Sequence, residues 1–138
     1  MAHVMELEIG GETYQFKAGF AFIREVDPMH KQKQNGIEEN IGLNVLIGGL
    51  YDKDTGDLLD ALYAMNKGQS PRITKAKLEE YIEDCDDIEG LFDQVNDFLL
   101  NANCTKTKAK RLAKMYEKMM ERQEAELTGR GRISTEDA

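Results

Sequence analysis

The chain has 138 residues, 41% of them hydrophobic and 32% charged, the make-up of one ordinary globular domain. Its 18 basic and 26 acidic residues leave a net charge of −8, which argues against nucleic acid as the main partner, because phosphate binding needs a clustered positive field. No stretch approaches the roughly 18 uninterrupted apolar residues of a membrane span, and the N-terminus lacks the basic start and apolar run of a secretion signal.

Residues 4–9 alternate, with Met5, Leu7 and Ile9 on one face and Glu6 and Glu8 on the other. Gly10-Gly11 follows, and then Tyr14 and Phe16 alternate inward. Two period-2 runs joined by Gly-Gly predict a β-hairpin over 4–17, whose apolar face must lie on helices because an isolated hairpin is marginal in water. Residues 18–33 place Phe20, Ile23 and Val26 at helical spacing, with Phe22 alongside. Pro28 should push Asp27 out of the α region and kink or end this first helix. "KQKQNG" (31–36) reads as a polar break, and Ile37, Ile41, Val45, Leu46 and Leu50 predict a second helix starting at Ile37.

The third helix, Asp57–Asn66, carries Leu58, Leu59, Leu62 and Met65 as its stripe. The sequence then runs Asn66-Lys67-Gly68-Gln69-Ser70-Pro71, and Lys67-Gly68 beside Ser70 invites comparison with a phosphate cradle. Such a cradle has G-x-x-x-x-G-K-[ST] after a buried strand; here the glycine follows the lysine and a helix precedes both. The stretch reads instead as a C-cap, with Gly68 in the left-handed conformation and Pro71 preventing resumption. Thr74 is the expected N-cap of a fourth helix, Lys75 to about Asp84, with Ile73 and Leu78 at staple spacing. Asp86 with Glu89 resembles a capping box for a fifth helix bearing Ile88, Leu91, Phe92, Val95, Phe98 and Leu99. Thr105 is the expected cap of a sixth helix, Lys106 to about Leu127. Residues 128–138 read as a polar, disordered tail. The fold class is therefore α+β, mainly α: one domain over 1–127, with the hairpin packed on a bundle of five to six helices.

No catalytic constellation appears. "DKDTGD" (52–57) fails the calcium-loop pattern, since Gly56, Asp57 and Tyr63 stand where an oxygen ligand, Gly and Glu are required. It reads as a solvated connection. His3 and His30 have no partner ligands at i+3 or i+4, and Cys85 and Cys104 lack a CxxC or a paired His. Those two read as buried thiols in a reducing compartment. No cofactor or metal is expected. "GRGR" (129–132) in so acidic a chain reads as a solvated tail rather than an RNA contact.

The charge pattern says more. Nine acidic residues and no Lys or Arg lie between Glu79 and Asp97, whereas six basic residues and only Glu117 lie between Lys106 and Lys118. Complementary faces of neighbouring helices, within one molecule or across a homo-oligomer, would explain both runs. Met115, Met119 and Met120 on the sixth helix are either core, the default, or an adaptable binding surface flanked by Lys114 and Lys118.

Four motifs in order, G-x-T-Y-x-F-K (11–17), R-E-x-D (24–27), G-x-E-E-N-x-G-L (36–43) and N-K-G-Q-x-P-R-x-T (66–74), give a resemblance. From about residue 5 to residue 104 the chain resembles the tail assembly chaperones of long-tailed phages that infect Gram-positive bacteria. The resemblance implies a non-enzymatic protein of the host cytoplasm, absent from the finished virion. It would bind the tape measure protein and recruit major tail protein; Lys114, Met115, Lys118, Met119 and Met120, beyond the residues that carry the resemblance, are the candidate partner-binding residues on the pattern of the sixth helix. Many members are made in a short form and a longer frameshifted form, and this chain would match the shorter. The alternative is a structural tail-completion or connector protein retained in the particle.

Overall fold

The computed structural model describes the backbone of residues 4–137 and the side chains of residues 4–127. Strands β1 (Val4–Ile9) and β2 (Glu12–Lys17) pair antiparallel, with Met5 opposite Phe16 and Leu7 opposite Tyr14. Gly10 and Gly11 turn the chain at φ values of 60° and 84°, which only glycine adopts without strain. Met5, Leu7, Ile9, Tyr14 and Phe16 are buried against the helices, so the alternation read from the sequence holds.

Helix α1 spans Phe20–Val26 and tightens into a 3₁₀ turn, Asp27–Met29, in which Pro28 occupies the first turn. The helix ends where Pro28 predicts, but Asp27 stays in the α region at φ −60° and ψ −43°. Its carboxylate explains why. Asp27 Oδ1 accepts the backbone N–H of Leu43 at 3.2 Å, serving the first turn of α2 (Gly42–Tyr51), which has no side-chain cap of its own. The inward face of α1 also differs from expectation: Phe22 is buried, whereas Phe20 stands 67% exposed beneath the Arg24 guanidinium.

The largest correction concerns residues 31–40. In place of a polar break and an early helix start there is a second hairpin, β3 (Lys31–Gln34) with β4 (Ile37–Asn40). Asn35 and Gly36 both take positive φ, 54° and 78°, as the central residues of a primed two-residue turn do. All eight strand residues are exposed, Ile37 at 65%. With no apolar face to reveal the period of two, this hairpin was disguised as a loop, and Ile37 and Ile41 happened to sit at helical spacing.

Helix α3 (Thr55–Met65) begins two residues earlier than the sequence reading, because Asp54 caps it by accepting the Asp57 N–H at 3.0 Å. Its far end follows expectation, with Gly68 at φ +80°. Thr74 caps α4 (Lys75–Glu83), and Ile73 and Leu78 are both buried as a staple requires. Helix α5 (Ile88–Asn101) is capped by Asp87 rather than Asp86, through the Gly90 N–H at 2.9 Å. The last helix, α6, runs Lys106–Asp137. The tail expected at 128–138 lies outside the residues described in side-chain detail. A single core holds these parts together: Phe16 from the hairpin, Phe22 and Val26 from α1, Leu50 from α2, Leu58, Leu62 and Met65 from α3, Leu78 from α4 and Val95 from α5.

One stability test follows from the α3 cap. No atom would crowd a Cβ at Gly68, so any cost of substitution there is conformational. Gly68→Val should lower the unfolding free energy by about 1 kcal/mol or more, through β-branched strain at positive φ. An unchanged urea midpoint would refute the left-handed cap.

Candidate partner-binding surface

Helix α6 is seated at its start by Thr105, Ala109 and Leu112 and one turn further on by Tyr116. Thr105 stands where the sequence places the cap, and its carbonyl accepts the Ala109 N–H at 2.8 Å. Its buried hydroxyl, however, donates to the Leu99 carbonyl at 2.7 Å, tying the new helix to the end of α5. Ala109 is buried and Leu112 half-buried.

Gly48 in the middle of α2 then decides where α6 crosses. A Cβ there would come within 2.3 Å of the Tyr116 hydroxyl, so the ring sits as it does against a bare backbone and would have to shift for any other residue. Tyr116 stacks on Tyr51, with centroids 5.4 Å apart and planes 19° from parallel. A mid-helix glycine costs about 1 kcal/mol of helix propensity, which the ring contact offsets. "GG" at 48–49 is the sequence signal for this close helix–helix approach.

From Lys114 to Leu127 only Tyr116 is not exposed. Met115, Met119 and Met120 are 53%, 51% and 62% exposed, so the core reading of these methionines does not hold. At 3.6 residues per turn Met115 and Met119 share one face, while Met120 lies round towards Tyr116. Lys114 and Lys118 are exposed beside them. Beyond Tyr116 a groove of about 590 Å³ opens between the end of α2 and α6, lined by Tyr51, Asp52, Ala113, Tyr116, Glu117, Met120 and Glu121. Burial raises the Tyr51 phenol above its ordinary pKa, and the charges of Glu117 and Asp97 add to the effect.

Among the described residues no ion pair joins the two charge runs. All nine acidic residues from Glu79 to Asp97 are exposed. Among the described residues the ion pairs are Lys31–Glu38, Lys53–Asp93 and Lys67–Glu25, and none joins the acidic run to α6. Direct ion pairing within one molecule therefore does not explain the pattern.

The other candidates resolve locally. Among the described residues no group of three or more His, Cys, Asp or Glu side chains is placed to hold a metal ion, and no helix is long and apolar enough to cross a membrane. His3 lies outside the described residues. His30 is exposed, and its carbonyl accepts the Ile41 N–H at 2.9 Å. Both cysteines are free, but they are not the buried pair expected: Cys85 is half-buried and Cys104 exposed.

In the first turn of α3, burial raises the Asp57 carboxyl, helped by the charges of Asp54, Asp60 and Asp52 and opposed by His30. A raised folded-state pKa means that the native state holds this proton more tightly than the unfolded chain. Stability from this group is therefore greatest below the unfolded pKa and falls as pH rises through the raised value. Asp57→Asn should flatten that part of the thermal midpoint's pH profile and raise the midpoint slightly at neutral pH. An unchanged profile would count against it.

A family model described as phage tail assembly chaperone protein, TAC, matches residues 6–114. No curated protein and no solved structure matches the chain.

Proposed function

The chain belongs to the phage tail assembly chaperone family and serves phage tail assembly; from that premise we propose that it works without catalysis, by holding the tape measure protein and recruiting major tail protein. It acts in the host cytoplasm and is absent from the finished particle. One observation supports this reading above the others. Helix α6 presents Met115, Met119 and Met120 to solvent on a stretch from Lys114 to Leu127 in which only Tyr116 is not exposed. A chaperone for a long helical client needs apolar surface that tolerates many sequences. Methionine provides it, because an unbranched thioether chain repacks against varied partners.

The test is co-expression of the tape measure protein from the same phage with the wild-type chain or with Met119→Ser/Met120→Ser. These side chains are exposed, so the variant should unfold within about 0.5 kcal/mol of wild type. The client should nevertheless move largely to the insoluble fraction. A variant that folds normally and still keeps the client soluble would place the binding surface elsewhere. Mass spectrometry of purified particles should lack this chain; finding it there in stoichiometric amount would favour a retained structural component.

A further inference from the structure

The groove beside the methionines differs in character from the surface that adjoins it. Its walls are the stacked rings of Tyr51 and Tyr116, and its charged residues, Asp52, Glu117 and Glu121, are all acidic. Among the described residues no basic side chain lines it, although α6 carries Lys110, Arg111, Lys114 and Lys118 within the same turns. Lys53, next to Asp52, is paired with Asp93 at 3.0 Å, and Lys114, Lys118 and Arg122 adjoin lining residues in sequence without themselves lining the groove. Met120 belongs both to the groove and to the exposed apolar part of α6, so the two surfaces are continuous.

We propose that this groove selects for cationic clients: it receives a Lys or Arg side chain of a helix whose apolar face lies along the α6 methionines. The inference rests on the reading of α6 as the client-facing surface and adds the chemistry of what that client must carry. An aromatic pair offers a cation its ring faces, and a ring of carboxylates supplies the opposite charge. The Tyr51 phenol, its pKa raised further by burial, is neutral, and its oxygen can accept a hydrogen bond from a guanidinium N–H. The methionines supply affinity with little sequence demand. The acidic groove supplies discrimination, because an acidic client residue placed there meets three carboxylates.

Three synthetic amphipathic helical peptides, alike in their apolar face and carrying Arg, Gln or Glu at one central position, test this by fluorescence anisotropy against the full chain. The Arg peptide should bind about ten-fold more tightly than the Gln peptide, with the Glu peptide weakest. In Glu117→Gln/Glu121→Gln the Arg preference should fall below about two-fold, as it should in high salt, where exposed charges are screened. Equal binding of the Arg and Gln peptides overturns the proposal, and so does a preference that survives the double substitution. Failure of all three peptides to bind, at concentrations where the wild-type chain keeps co-expressed client soluble, overturns it as well. The α6 reading is decided separately: it stands if Met119→Ser/Met120→Ser releases the client while the peptides show no charge preference.

Discussion

Asn66→Ala is expected to lower the unfolding free energy by about 3 kcal/mol or more, the largest effect of any single polar truncation in this fold. Asn66 is fully buried and uses both ends of its amide. Its Nδ2 donates to the Gln15 carbonyl of β2 at 2.8 Å and to the Pro71 carbonyl at 3.3 Å. Its Oδ1 accepts the Ile73 N–H at 2.7 Å and Arg72 Nη1 at 3.1 Å. One side chain thus joins the N-terminal hairpin, the end of α3 and the run into α4. Truncation leaves the buried Ile73 N–H and the part-buried Gln15 carbonyl without this partner, the former costing about 1–3 kcal/mol, and opens a small void. Asn66→Asp separates the contributions: it keeps the acceptors for Ile73 and Arg72 but loses both donors and buries a charge. It should also be destabilised, and increasingly so as pH rises. Urea unfolding followed by circular dichroism measures both variants. A loss below about 1 kcal/mol for Asn66→Ala would mean that the network is replaced by water.

Gly42→Ala is expected to cost about 2–3 kcal/mol, against the sign that helix propensity alone predicts. In an exposed helix this change stabilises by about 1 kcal/mol. Here a Cβ on residue 42 would lie 1.8 Å from the Val26 carbonyl oxygen and 2.6 Å from that of Asp27. Those are backbone atoms at the junction of α1 and the 3₁₀ turn, so no rotamer change relieves the clash. Helix α2 must move away from that junction, which also strains the Asp27 carboxylate's bond to the Leu43 N–H. Gly49→Ala is the informative comparison, because there the obstruction is the Asp57 side chain, which can rotate aside. Its cost should be clearly smaller. A neutral or stabilising Gly42→Ala would show that α2 is not seated against Val26 in this way.

The motifs that carry the family resemblance fall on positions of this kind. Gly36 turns the second hairpin, Asp27 caps α2, Gly42 lets α2 meet Val26, Asn66 joins three segments and Gly68 takes the left-handed cap. None of them touches the α6 surface proposed to hold the client. They report how the domain is built, which is why they identify the family and not the binding face.

What the sequence determined by itself is whatever depends on neighbours a few residues away. The period-2 alternation of Met5, Leu7 and Ile9, the caps at Thr74 and Gly68, and the apolar stripe of α5 were all legible, because local sterics and one buried face fix them. Tertiary structure decided the rest. The 31–40 hairpin has no buried face, so its alternation left no hydrophobic trace; only Asn35-Gly36 signalled it. The exposure of Met115, Met119 and Met120 could not be read from spacing, since a core stripe and a docking stripe have the same period. It is settled where Gly48 admits Tyr116 onto Tyr51. That contact, with the burial of Ala109, fixes which face of α6 packs and which faces water, and it joins Tyr51 to Tyr116, 65 positions away in the chain, a distance over which local propensity carries no information.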